Sequence, residues 1–191
     1  MTTRSPLAPD KFPNLPAING LGLAVAASGL KYKNRDDLLL MTLSETATVA
    51  GVFTHSDTAA APVIWSREVV ASGRARAILT NAGNANAFTG ERGRETVQQT
   101  STALAKALGV SADHILLAST GVIGEPLEAA KLSAHFPQLV ANQNASWDQA
   151  VGAILTTDTF PKGAHVSCDI DGNTVNICGI AKGSGMVAPN M

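Results

Sequence analysis

Four short stretches concentrate glycine and small polar residues between apolar runs: residues 80–90 (TNAGNANAFTG), 118–124 (ASTGVIG), 156–162 (TTDTFPK) and 181–186 (AKGSGM). Each alone is compatible with a plain connection, because glycine and asparagine appear wherever a chain needs positive φ. Taken together they mark a candidate site. In LLASTGVIG a buried strand runs out into Thr120 and Gly121, which places a hydroxyl and two adjacent backbone N–H groups at the end of a sheet. Donors fixed before reaction stabilise a developing oxyanion without reorganising, and glycine permits close approach. An ordinary strand-to-helix turn has the same appearance. Lys182, emerging from the apolar run ICGIA, is a cation set to bind or polarise an anionic group, with a solvated strand-end lysine as its bland alternative.

Other chemistries find no support. The lysine of AKGSGM precedes its glycines, so the GxxxxGK[ST] spacing of a phosphate loop is missing. His55, His114, His135 and His165 are scattered, without the paired spacing of a metal site, and no GxSxG elbow is present. The chain thus offers an oxyanion cradle and a cation but no evident nucleophile. If the nucleophile lies just past Met191, the stretch GIAKGSGMVAPNM is a cleavage loop and this chain is the N-terminal product of an internal cut.

The elements that must hold these loops are mixed. Residues 1–17, with four of the nine prolines, read as an irregular arm ahead of one domain spanning 18–191. INGLGLAVAASGL, DDLLLMTLSE, ATVAGVFTH and PVIWSREVV read as neighbouring strands, and RAILTNAG as another. In ERGRETVQQTSTALAKALG, residues Val97, Ser101, Leu104, Ala105 and Leu108 share one helical face, with Gly109 at the expected C-terminal cap. HILLAST predicts a buried strand, and PLEAAKLSAHFPQLV a helix begun by Pro126 and interrupted at Pro137. Ser146 with Gln149 forms a capping box ahead of Trp147, Val151, Ile154 and Leu155 on one stripe, and AHVSCDIDGNTVNICGIA alternates around an Asp-Gly turn like a β-hairpin.

Charged residues are only 15% of the 191 and the net charge is -1, so nothing steers nucleic acid or an anionic membrane, and part of the surface is expected to be covered by another polypeptide. The opening residues show no apolar leader segment and no run long enough to span a bilayer, which reads as cytoplasmic. Cys168 and Cys178 read as reduced, small core residues.

In their order, VAGVFTHSDTAAAPV, NAGNANAFTG, ASTGVIGEPL, ILTTDTFPK and GIAKGSGMVAPNM resemble the α chain of the ornithine acetyltransferase (glutamate N-acetyltransferase) family of arginine biosynthesis, from about residue 18 to the end. The resemblance implies a layered α/β sandwich similar to N-terminal-nucleophile hydrolases, completed by a separate β chain. It implies that the precursor cuts itself before a threonine, that this threonine becomes the β-chain nucleophile, and that the two chains assemble as α2β2 or higher. The implied reaction is ping-pong transfer of acetyl from N-acetylornithine to glutamate without a coenzyme; some members also accept acetyl-CoA. Carried over residue by residue, Thr120 and Gly121 match the oxyanion-hole pair, Lys182 a substrate-binding lysine and Thr156 a further substrate-binding position, with Thr157 its nearest rival. Asn81, Gly83 and Asn84 are second-rank candidates, since asparagines there brace a loop as readily as they touch a substrate. The competing readings are a self-processed aminopeptidase or amidase of similar fold and a non-catalytic module that grips a small metabolite.

Overall fold

The run LLLMTL has no polar alternation over its first half, which is the pattern of a strand covered on both faces. In the computed structural model, which describes residues 3–186 and 188–191, it forms strand β2 (Leu38–Leu43) inside a four-stranded sheet. Leu38, Leu39 and Leu40 are no more than 1% exposed. β1 (Leu21–Ala26) and β3 (Ala77–Asn84) flank β2 antiparallel, and β4 (Ile115–Val122) lies parallel to β3 at the far edge.

Pairing puts Ala24, Leu40, Leu79 and Leu117 in one row across the sheet. That face is packed by α2 (Gly90–Leu108), α3 (Ala129–Ser133) and α4 (Phe136–Ala141), through Val97, Leu104, Leu132, Phe136 and Leu139. The opposite face, with Leu23 and Leu39, is covered by Ala150, Ala153 and Ile154 of α5 (Trp147–Ile154). Helices on both sides of a sheet make a three-layer α/β arrangement. As the spacing predicts, α2 ends at Gly109 with left-handed φ of 68°, and α5 begins with the reciprocal Ser146–Gln149 capping box.

Three readings of the sequence are corrected. PVIWSREVV is not a strand but helix α1 (Ala61–Val70), whose Pro62 sits in the first turn, where a missing N–H costs nothing. Its β-branched residues mislead because α1 does a strand's work with side chains. The Ser66 hydroxyl donates to the Leu117 carbonyl at 2.7 Å and accepts from the Leu117 amide at 2.9 Å, while the Trp65 indole donates to the Ile115 carbonyl at 2.8 Å. α1 therefore occupies the free edge of β4, and ATVAGVFTH forms no strand: among the described residues it makes an isolated bridge from Thr48 to Arg74, and its end bonds to the last residues, the His55 amide donating to the Asn190 carbonyl at 2.9 Å. PLEAAKLSAHFPQLV forms two short helices, α3 starting at Ala129 instead of Pro126; Pro137 lies in the first turn of α4 and so opens a helix that it was expected to interrupt.

The last two strands, β5 (Lys162–Ile170) and β6 (Asn173–Ala181), form a separate antiparallel hairpin. Asp171 and Gly172 both have positive φ, 52° and 77°, the requirement of a tight two-residue turn matched to strand twist. Cys168 and Cys178 are free as expected, but Cys168 is exposed and Cys178 half-buried, because most of the hairpin projects from the core. At its base the hairpin is met by the proline-rich arm, where Phe12 packs so closely on Gly163 that a Cβ there would lie 2.6 Å from the ring; the same arm is tied to α5 by the Trp147 indole, which donates to the Pro16 carbonyl at 2.9 Å. Among the described residues, no helix is long and apolar enough to cross a membrane.

Candidate active site

The four glycine-rich loops are far apart in the sequence and converge on one cavity of about 420 Å³. The parallel pairing of β3 with β4 carries 80–90 and 118–124 to the same end of the sheet, α5 delivers 156–162 there, and β6 delivers 181–186. Thr120, Gly121, Thr156 and Lys182 all line this cavity, together with Gly83 and Thr157.

Lys182 sits at the centre of the polar contacts. Its ammonium donates to the Thr120 hydroxyl at 2.8 Å and to the Thr156 hydroxyl at 3.2 Å, joining the end of β4 to the segment after α5. Thr157 lines the same space, but Thr156 is the threonine that engages the lysine.

Gly121 is demanded by geometry. Its φ is +137°, and a Cβ at this position would stand 2.3 Å from the carbonyl carbon of Gly83. Gly83 in turn has φ of +109°, and its own Cβ would fall 2.9 Å from that of Lys31. Two glycines thus let the ends of β3 and β4 and the β1–β2 loop come into contact, and the β3–β4 ladder is irregular at this point.

Asp158 holds the loops in register. Its side chain has no solvent exposure, accepts from the Lys162 ammonium at 2.6 Å and from the Gly183 amide at 2.7 Å, and is approached by the Thr156 amide at 3.5 Å. Burial alone would raise its pKa. The Lys162 hydrogen bond, the Gly183 amide and the Lys162 charge outweigh it, so the carboxyl is held below its ordinary 3.8. A second brace lies on the other side, where the Arg35 guanidinium donates to the Leu155 and Gly152 carbonyls at the open end of α5 and stacks 4.3 Å above the Tyr32 ring. Lys31 and Tyr32 line the cavity from that loop.

The asparagines of 80–90 act as braces. Asn81 donates to the Asn84 carbonyl at 2.8 Å and accepts from Ser119 at 2.6 Å, while Asn84 donates to the Glu125 carbonyl at 3.0 Å and accepts from the Asn86 amide at 2.7 Å. Of the second-rank candidates, Gly83 reaches the cavity wall and both asparagine side chains are engaged with protein.

Sequence reasoning missed Asp158, Lys31, Tyr32 and Arg35. The one available signal for Asp158 was a lysine four residues on, inside a loop already singled out. LKYKNRDD carries no such signal, since it looks like any solvated connection.

Comparison with known proteins bears on the same region. The sequence profile of the ArgJ family matches residues 22–191. The chain is 52% identical over 188 residues to the arginine biosynthesis bifunctional protein ArgJ of Rhizobium meliloti, covering 98% of this chain and 46% of that protein. It is 50% identical over 191 residues to that of Mesorhizobium japonicum, covering 100% of this chain and 46% of the relative. The chain therefore spans about half the length of the curated relatives it matches. Among solved structures, ornithine acetyltransferase from Mycobacterium tuberculosis, crystallised with ornithine, superposes with a TM-score of 0.84 at 35% identity, over 90% of this chain and 92% of that one. ArgJ from Bacillus halodurans gives 0.82 at 32% identity, over 90% and 91%. With a family profile running from β1 through every loop of the cavity, and a shared fold at more than 30% identity, this chain belongs to the ArgJ family.

Proposed function

We propose that this chain is the α half of a two-chain acetyltransferase that moves acetyl from N-acetylornithine to glutamate. Residues 18–191 form its domain, 1–17 an arm, and a β chain from the same precursor completes the layered sandwich and supplies the nucleophile. The assembly is α2β2 or larger, works in the cytoplasm and needs no coenzyme for this cycle.

The observation that carries the reading is the Lys182 ammonium bonded to both Thr120 and Thr156, with Gly121 beside them on the wall of the same cavity. Coverage supports the two-chain arrangement: the matched region is 46% of the Rhizobium meliloti protein but 92% of the solved Mycobacterium tuberculosis chain, as expected if a precursor of that length yields separate pieces.

In the proposed cycle a threonine Oγ from the β chain attacks the acetyl carbonyl, and its proton passes to its own α-amine. The carbonyl oxygen becomes an oxyanion, held at Thr120 and Gly121. The C–N bond then breaks as ornithine's amine takes the proton, leaving an acetyl ester. Glutamate's deprotonated amine attacks the ester, the C–O bond breaks, and threonine regains a proton. Lys182 and Thr156 hold the substrate, the lysine through the α-carboxylate that both amino acids carry.

The test offers the two-chain protein N-acetylornithine and glutamate without acetyl-CoA. N-acetylglutamate is the expected product. Free acetate instead would mean that water resolves the intermediate, as in a hydrolase; binding without turnover would favour a metabolite-gripping module. The α chain alone is expected to be inert, and acetyl transfer by it would contradict the assignment.

A further inference from the structure

Lining the cavity are Lys31 and Lys182, and among the described residues no acidic side chain accompanies them. The two lysines differ in how they are engaged. Lys182 is committed to two hydroxyls, at 2.8 and 3.2 Å, whereas Lys31, exposed at the cavity mouth, makes no hydrogen bond or ion pair among the described residues.

Resting on the reading above, we infer that Lys31 is a specificity-determining residue that binds the side-chain carboxylate of the acceptor. Donor and acceptor share an α-carboxylate, for which one cation is enough. They differ at the far end of the side chain, where N-acetylornithine carries an ammonium and glutamate a carboxylate. The acceptor therefore needs a second cation, and the cavity wall has one to spare.

Its mounting fits this role. The Lys31 Cβ is seated against Gly83, which gives the stem a fixed origin beside Gly121. The loop is pinned at both ends of the turn: the buried Asp37 carboxylate accepts from the Ser28 amide at 2.6 Å, and Arg35 ties Tyr32 to the end of α5 next to Thr156. Beyond that fixed origin the side chain is long and solvated, so its charge can swing away from the ornithine ammonium and return for the acceptor.

In a ping-pong cycle kcat/KM for each substrate reports its own half-reaction, which separates the two roles. With the processed two-chain enzyme, Lys31→Ala is expected to lower kcat/KM for glutamate roughly 10- to 100-fold, the range of a lost charge-assisted hydrogen bond, and at least tenfold more than for N-acetylornithine. Lys31→Arg should restore most of the loss, and Lys31→Glu should exceed it by adding repulsion. Lys33→Ala, a neighbouring lysine that does not line the cavity, serves as the control for long-range charge and should leave both values unchanged. If wild-type enzyme transfers acetyl but Lys31→Ala lowers both values equally, or moves neither, the inference is overturned. If wild-type enzyme makes no N-acetylglutamate, the functional reading itself fails.

Discussion

The four-stranded sheet and the terminal hairpin both carry branched aliphatic side chains, yet they sit at opposite extremes of burial. Leu38 and Leu40 in the sheet are 0% exposed, whereas Val166, Ile170 and Ile177 in the hairpin are 55–57% exposed. Register explains what the sequence was doing in the second case. Val166 pairs with Ile177 and Cys168 with Val175, so one face of the ribbon is apolar, while His165, Ser167 and Asn176 hydrogen-bond to one another on the other face. A two-stranded ribbon is marginal by itself in water, and this one is secured at its base, where Phe12 of the arm packs on Gly163, Asp158 accepts from Lys162 and Ile180 packs against the core layer under α5. The cavity lies where the two regions meet, Thr120 and Gly121 coming from the rigid one and Lys182 from the dependent one. A site divided in this way is complete only when both halves are held.

That contrast can be tested from its strongest point to its weakest. Gly121→Ala is expected to do most harm, by more than about 4 kcal/mol, since the clash is with the Gly83 backbone and no side chain can move aside; chemical denaturation together with acetyl-transfer rate would show both losses at once. Leu40→Ala, on the doubly covered strand, should lower unfolding free energy by about 2–5 kcal/mol in a urea titration. Lys182→Met should leave stability nearly untouched and reduce kcat/KM for N-acetylornithine roughly 10- to 100-fold; equal loss of stability would mean that the lysine is a strut and not a ligand. At the other extreme, Ile177→Ala in the hairpin should change the stability of this chain by no more than about 0.5 kcal/mol, and a core-sized loss would show that the exposed face is covered.

Acid adds a further handle on the junction. Because the folded pKa of Asp158 lies below its ordinary 3.8, its stabilising contribution is present in full above that value and is lost as pH falls through the folded pKa. Asp158→Asn should therefore be less stable than wild type at pH 6, and the gap should close as pH falls below about 3.8.

Local signals were readable in the sequence, and tertiary ones were not. The 19-residue α2 with its Gly109 cap, the Ser146 capping box and the Asp171-Gly172 turn each depend on neighbours in the chain, and each appears as expected. α1 was misread because its role is set by β4, 51 residues away from Ser66, and no window of sequence contains both. The same limit applies to the site. Thr120, Thr156 and Lys182 stand out as candidates one by one through glycine-rich loops and family resemblance, but Lys182 and Thr120 are separated by 62 residues and their hydrogen bond is a property of the fold. Asp158 and Arg35 stayed hidden because their value lies in backbone groups that they satisfy on distant segments.

The hydroxyl of Ser66, bonded both ways to Leu117, has a consequence for how this molecule can grow. It caps the middle of the sheet edge at β4, so a strand offered by any other polypeptide finds the Leu117 amide and carbonyl already taken by a side chain of α1. One serine on a helix thereby guards the border beside β4 against strand addition at its centre.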